Sequence, residues 1–243
     1  MVLDLTRRTM GVKEWRLDAH QHAEKTVEDF PTEREWSEWV KDYYREVEQY
    51  DWVDVADHFK GLESFFHRNR RRAVRGLVQR YGSEPMLDAG CGTGLNLSGL
   101  PAGSTGIDLN PRNIALVRAR LPQQVAVVGD VENMPFADAS FNTVVCTEVL
   151  EHVPHPDDAL REIRRVLRGG GTLIGSVPAR SMIWRLRFLS STCPGDEPFH
   201  NEYRPAEVRQ MLAPFEIERI WYSALRFNIL FVARRPPTEA PSI

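Results

Sequence analysis

The chain has 243 residues, of which 42% are hydrophobic and 27% charged, with a net charge of −3. That length and apolar fraction suit one domain, or one domain with an appendage, and exclude wholesale disorder. The near-balanced charge gives no footing for nucleic acid as the main partner, and no run approaches the roughly 20 apolar residues of a membrane span. The opening residues, MVLDLTRRTMGVKEWRLDAH, carry no apolar stretch of a secretory signal. Cys91, Cys146 and Cys193 are odd in number and widely spaced, which argues against a disulfide framework and for a reducing, cytoplasmic setting.

Residues 1–57 read as an N-terminal helical cap. Twelve acidic residues face eight basic ones in residues 1–50. Within 33–50, Trp36, Trp39, Val40, Tyr43, Tyr44 and Val47 recur at three- and four-residue spacings, the pattern of an amphipathic helix. The cap either packs on the core or closes over a substrate site, and both readings stand at this level. Residues 61–80 reverse the charge, with one acid (Glu63) against six arginines, Arg68, Arg70, Arg71, Arg72, Arg75 and Arg80. This segment reads as a basic-faced helix leading into a main domain over 58–235.

From residue 85 strands and helices alternate, which predicts a parallel sheet covered on both faces. The expected strands are 86–88, 104–108, 125–128, 141–146 and 172–177. The expected helices are 111–121, with Asn110 as N-cap and Pro111 at its first position, and 156–167, closed by Gly169–Gly171. Residues 179–204 break the rhythm as an insertion. A helix over 205–212 follows, then a hairpin-like edge of strands 215–222 and 225–233. The tail, 236–243, is expected to be disordered.

The chemistry-bearing stretch is MLDAGCGTG, residues 86–94. An acid, Asp88, precedes glycines at alternate positions, where a backbone turns sharply and a ligand can touch the main chain. The third glycine is one residue early for the dinucleotide fingerprint. The carboxylate would repel a pyrophosphate and attract a cationic amino group. Asp108, twenty residues later in GIDLN, ends the second strand and can accept from ribose hydroxyls. Asp130 and Val131 in GDVENMPF can border an adenine. The string CTEVLEHVPHP, 146–156, follows. No P-loop, H-E-x-x-H or G-x-S-x-G pattern is present.

Taken together, these four segments resemble the class I S-adenosylmethionine-dependent methyltransferases of small-molecule type, over roughly residues 58–178. The resemblance implies an α/β fold: a doubly wound, Rossmann-like, seven-stranded, mostly parallel sheet whose last strand is antiparallel. It implies S-adenosyl-L-methionine as cofactor and a small-molecule acceptor. It places Gly90 and Gly92, with Asp88, at the methionine part, Asp108 at the ribose, Asp130 and Val131 at the adenine, and Thr147 beside the sulfonium, with Cys91 and Leu109 also among the cofactor-binding residues. The upstream WVDVADHFKGL, Arg70 and TEVLEHVPHP look like the ubiquinone-biosynthesis O-methyltransferases. That likeness implies Arg70 as a ligand of the cofactor carboxylate. It also brings a minority reading in which Glu148, Glu151 and His152 hold a divalent metal, although no metal is expected.

The expected reaction is in-line methyl transfer, at a hydroxyl, with His152 as the favoured general base over His155, His200 and Tyr203. N- or C-methylation, a nicotinamide oxidoreductase, a non-catalytic cofactor-binding protein and RNA methylation through the arginine face are the alternatives. Cys91 and Cys146 read as packing residues rather than nucleophiles. The apolar run Met182–Leu189 in the insertion is expected to cover the acceptor.

Overall fold

A computed structural model describes residues 27–47, 51–58, 62–180, 201–223 and 226–237. The run Met182–Leu189, His200, Cys193 and the residues beyond 237 lie outside these. Among the described residues a 3-10 turn, Val27–Asp29, precedes α1 (Glu33–Glu46), α2 (Trp52–His58) and α3 (Leu62–Tyr81). The main domain then runs β1 (Met86–Ala89), β2 (Thr105–Asp108), α4 (Pro111–Arg120), β3 (Val125–Val128), β4 (Phe141–Thr147), α5 (Pro156–Val166), β5 (Leu167–Pro178), α6 (Pro205–Met211), β6 (Glu216–Tyr222) and β7 (Asn228–Arg234).

The seven strands form one sheet in the order β3-β2-β1-β4-β5-β7-β6. The first five pair in parallel, and β7 lies antiparallel between β5 and β6. The order reverses between β1 and β4. In an open α/β sheet the crevice beyond the carboxyl ends at such a switch point is where ligands bind. Residues 88–92, 108–110, 130 and 147–152 all lie at that end.

Two hydrophobic clusters cover the two faces. One gathers Leu87, Ile107, Val144, Leu160, Ile163, Leu173 and Phe231 under α5 and α6. The other gathers Val74, Val78, Leu97, Ile114, Val117, Val145 and Ile174 under α3 and α4. Successive strand residues alternate between these clusters, as Val144 and Val145 do, because side chains leave a strand on opposite faces. With both faces buried, the strands read as continuous apolar runs.

The local signals hold in most places. Asn110 caps α4, its side chain accepting from the Arg112 amide at 2.9 Å, with proline in the first turn. Helix α1 is capped by Thr32 and buries Trp36, Ser37 and Val40. One boundary differs from expectation. Gly169–Gly171 lie inside β5, which begins at Leu167 immediately after α5. A Cβ on Gly171 would stand 2.8 Å from the Arg168 carbonyl oxygen, so this glycine serves close backbone approach and not helix termination. A second difference concerns β6, which holds the sheet edge alone, while β7 is interior and almost wholly buried.

The insertion is anchored at both ends. The Arg180 amide donates to the Tyr203 carbonyl, and the Tyr203 amide to the Pro178 carbonyl, at 2.8 and 3.0 Å. Tyr203 is buried in the first cluster.

Phe231 is among the largest fully buried side chains, and its ring fills the space over Gly175, where a Cβ would meet Phe231 Cζ at 2.1 Å. Phe231→Ala is therefore expected to lower unfolding stability by about 3–5 kcal/mol, read from denaturant midpoints. A loss below about 1 kcal/mol would show that the two faces are not packed as described.

Candidate cofactor and methyl-transfer site

Helix α1 lies across the carboxyl end of the sheet. The Asn110 side chain donates through Nδ2 to the Tyr44 and Val47 carbonyls at 3.2 and 3.0 Å. Lys41 reaches Asp130 at 2.8 Å and also binds Glu132. Tyr44 Oη lies 3.0 Å from His152 Nδ1. Trp36 meets the His155 ring edge-on. The cap thus touches the loops after β2, β3 and β4 at once.

The glycine loop is bound to β2 by its own amides. The amides of Gly90 and Cys91 both donate to the Ile107 carbonyl, at 2.8 and 2.9 Å. The Gly92 amide donates to Asp108 Oδ2 at 2.8 Å. These N–H groups are engaged inside the protein, so the loop does not offer them to a phosphate. Gly90 has φ +75°, and a Cβ there would lie 2.3 Å from Val149 Cγ2. Only glycine fits this position, and the loop is pressed against the segment after β4.

Two carboxyl groups stand at this loop. Asp88 is buried at the end of β1, and its carboxyl is hydrogen-bonded by the Leu97 amide. Its Oδ2 is buried with no hydrogen-bond partner. Burial, reinforced by the charge of Asp108, pushes its pKa up to about 7. Asp108 Oδ1 accepts from the Asn110 amide and from Asn113 Nδ2, both at 3.0 Å, in addition to the Gly92 contact at Oδ2. Burial raises its pKa as well, against these three bonds. A carboxylate offers about four lone-pair sites, so Asp108 retains capacity for a further donor.

Thr147 is buried and accepts from Asn96 Nδ2 at 2.7 Å, while Asn96 Oδ1 is buried without a partner. Val131 is buried, and Leu109 is half-buried after β2. Asp130 accepts the Glu132 amide at 2.8 Å besides Lys41. Burial alone would lower the Lys41 pKa, but Asp130 and Glu132 outweigh it and hold the ammonium above its ordinary value. Cys91 and Cys146 are buried thiols whose pKa values are pushed up by burial and neighbouring carboxylates. Such thiols do not ionise readily, which fits packing roles.

Arg70 is tied to the segment after β4. Its Nη1 pairs with Glu148 Oε2 at 3.2 Å, Nη2 lies 3.1 Å from His67 Nδ1, and Nε is buried without a partner. Glu148 also accepts from Ser176 Oγ and Asn228 Nδ2, each at 2.7 Å. Glu151 is fully buried, with Oε1 3.8 Å from His152 Nε2. Glu148 is thus committed to Arg70, Ser176 and Asn228, whereas Glu151 and His152 face each other. Among the described residues no group of three or more His, Cys, Asp and Glu side chains is placed to hold a metal. The metal reading of Glu148, Glu151 and His152 has no support in this arrangement. Tyr203 is no base either: its hydroxyl donates to the Leu150 carbonyl at 3.2 Å, and burial raises its pKa to about 12.

Residues 87–175 match the family model of the methyltransferase domain. A probable S-adenosylmethionine-dependent methyltransferase of Mycolicibacterium smegmatis is 31% identical over 162 residues, 64% of this chain and 61% of that protein. Over this stretch the chain is similar to S-adenosylmethionine-dependent methyltransferases. A phthiotriol/phenolphthiotriol dimycocerosates methyltransferase of Mycobacterium tuberculosis is 43% identical over 97 residues, 37% of this chain and 36% of that protein. The match therefore spans less than two thirds of either relative's own length. Among solved structures, magnesium protoporphyrin IX methyltransferase from Synechocystis, with bound S-adenosylhomocysteine, has a TM-score of 0.62 at 18% identity, covering 81% of this chain and 98% of that one. At that identity the likeness is one of fold.

The residues present fit the family's cofactor. A buried carboxyl oxygen lacking a donor, beside a second carboxylate and a loop with its amides turned inward, suits a ligand bearing an ammonium and a sulfonium. Sequence reading missed Lys41, Tyr44, Asn96 and Glu132. Lys41 carried one signal: it is one of only four lysines among 31 basic residues.

Replacing Asp108 with alanine strands the Gly92 and Asn113 donors and is expected to weaken S-adenosylhomocysteine binding at least tenfold, about 1.4 kcal/mol, by calorimetry. Unchanged affinity would remove Asp108 from the site. Asp88 gives a pH prediction. The folded, free protein holds its proton up to pH about 7, whereas the unfolded chain releases it near the ordinary 3.8. The Asp88 contribution to stability is therefore full below about pH 4 and lost as pH rises through 7. A cationic ligand prefers the ionised carboxylate, so affinity for S-adenosylmethionine should rise between pH 5.5 and 7.5 (on the order of ten- to thirtyfold). Asp88→Asn should flatten both dependences, measured by thermal shift and titration on wild type and variant in parallel.

Proposed function

We propose that this protein transfers the methyl group of S-adenosylmethionine to a hydroxyl of a small molecule. The orphaned Oδ2 of Asp88 carries the cofactor half of this reading. Bound there, the cofactor supplies an electrophilic methyl group on a cationic sulfur. Asp88 answers the positive charge of the methionine part, and Asp108 with Leu109 takes the ribose. Asp130 and Val131 border the adenine, Lys41 sharing the Asp130 carboxylate. Gly90, Cys91 and Gly92 form the floor, and Thr147 stands at the sulfonium end. Arg70 has one buried donor, Nε, for the cofactor carboxylate.

In the transfer, an oxygen electron pair of the acceptor forms the new O–CH3 bond while the S–CH3 pair stays on sulfur. The hydroxyl proton must leave, and in this reading His152 takes it. Its ring is half-buried at the carboxyl end of β4, oriented by Tyr44. The Glu151 carboxylate behind it attracts the charge the ring gains. Alignment and exclusion of water, to which α1 contributes by covering this end, supply the rest. The named acceptors of two of the related proteins, dimycocerosates and magnesium protoporphyrin IX, support a small molecule over a nucleic acid or protein. The nicotinamide alternative is disfavoured by the internally engaged loop amides and the paired carboxylates, which oppose a pyrophosphate.

The test is release of S-adenosylhomocysteine with a panel of hydroxylated, amino and carbon acceptors. Turnover confined to hydroxyl acceptors supports the reading, and turnover confined to amines overturns the O-methylation part. For an active acceptor, His152→Ala should lower kcat by about 10²–10⁴-fold, remove the acidic limb of the pH–rate profile, and leave cofactor affinity within about threefold. An unaltered pH profile would remove His152 as the base.

A further inference from the structure

The structure assigns a second binding cleft, and we propose that it receives the acceptor as a flat aromatic molecule carrying an anionic group. The assignment rests on the methyltransferase reading above and names the acceptor class. The cleft encloses about 280 Å3 between the N-terminal half of α3 and the β6–β7 hairpin. Its walls include the rings of Phe65, Trp221, Tyr222 and Phe227, with Arg70 and Arg72.

Position ties the cleft to the transfer site. Pro178 at the end of β5 pairs with Asn228 at the start of β7, so the hairpin turn stands level with the carboxyl end of the sheet. Asn228 lines the cleft and donates to the Glu148 carboxylate, which Arg70 reaches from the opposite wall. Glu148 directly follows Thr147, so the inner wall is one residue from the sulfonium side. An acceptor in this cleft would have one end at the place where the methyl group is offered.

The lining chemistry selects the acceptor. Phe65, 47% exposed, lines the cleft together with Trp221, Tyr222 and Phe227. The described lining holds two guanidinium groups and no carboxylate. Glu148 balances Arg70, while Arg72 is exposed and has no ion-pair partner among the described residues. Two further guanidinium groups stack on the wall rings: Arg226 is 4.3 Å from the Tyr222 centroid and Arg219 is 4.7 Å from that of Trp221. Of the two guanidinium groups that line the cleft beside four rings, Glu148 balances Arg70 and leaves Arg72 for an anion. Such a surround favours a π-system between the rings and a carboxylate, sulfate or phosphate group on the guanidinium side. The volume suits a molecule of one or two rings and not a protein segment. A ring hydroxyl also ionises more readily than an aliphatic one, as tyrosine's pKa near 10 shows, which eases the proton removal assigned to His152.

The test is calorimetry on the full chain with a hydroxynaphthoate and its neutral methyl ester, after titration with S-adenosylhomocysteine. The acid should bind at least about tenfold more tightly than the ester. Arg72→Ala should reduce that preference to under about threefold, Arg72→Lys should restore part of it, and Trp221→Ala should weaken both ligands. S-adenosylhomocysteine binding by each variant reports that it is folded. Equal affinity for acid and ester, or a preference that survives Arg72→Ala, overturns the assignment while cofactor binding leaves the methyltransferase reading intact. Failure of the wild-type protein to bind S-adenosylhomocysteine overturns both.

Discussion

The ties between Asp108 and its neighbours hold the carboxyl end of this sheet together. One carboxylate joins the glycine loop, through the Gly92 amide, to the start of α4, through the Asn110 amide and Asn113. Asn110 in turn caps α4 with its side-chain oxygen and holds the α1 backbone with its side-chain nitrogen. A short polar relay therefore fixes loop, helix and cap in one arrangement. Such a relay withstands burial only when each member is satisfied, and the nearby Oδ2 of Asp88, buried without a partner, is a place where a ligand has something to add.

That arrangement also shows how one fold can favour adenosyl-sulfonium over a dinucleotide. Both kinds of protein place a glycine loop after the first strand and an acid after the second. Here the loop amides face inward and the acid before the loop is buried. The field at the loop is consequently negative, and the discrimination lies in the direction of backbone dipoles as much as in any side chain. The segment after β4 contributes by sterics, since Val149 leaves no room for a Cβ on Gly90.

Much of this was legible in the sequence for identifiable reasons. Val125–Val128 is an apolar run bounded by turn residues, and Phe141–Thr147 is a mostly apolar, almost wholly buried strand of the kind that advertises itself. Asp88, Asp108 and the glycines stand next to each other or next to strand ends, so their roles follow from local order. What escaped was long-range. Lys41 and Tyr44 meet Asp130 and His152 from about ninety and more than a hundred positions away in the chain, and no periodicity encodes that meeting. Tyr203 stands among polar residues of the insertion, which gave no sign of burial, yet its backbone bridges to the end of β5 and its ring lies in the core. Gly169–Gly171 read as a helix stop, whereas they lie inside β5, where Gly171 allows close backbone approach. Glu148 and Glu151 share a string with His152, but the backbone turns through φ +54° at Glu148 and sends the two carboxylates to different neighbours.

The two rims of the sheet differ in their openness to other chains. The outer strand β6 carries Glu216, Glu218 and Arg219, breaks register between Ile217 and Arg219, and ties Glu218 to Arg234 on its neighbour. Charge and a bulge of this kind deny a straight ladder to a foreign strand. The opposite rim, β3, is only four residues long but leaves Val125 and Val128 half uncovered. It resists unwanted self-association by brevity alone, so crowding or partial unfolding would meet the weaker barrier on that side.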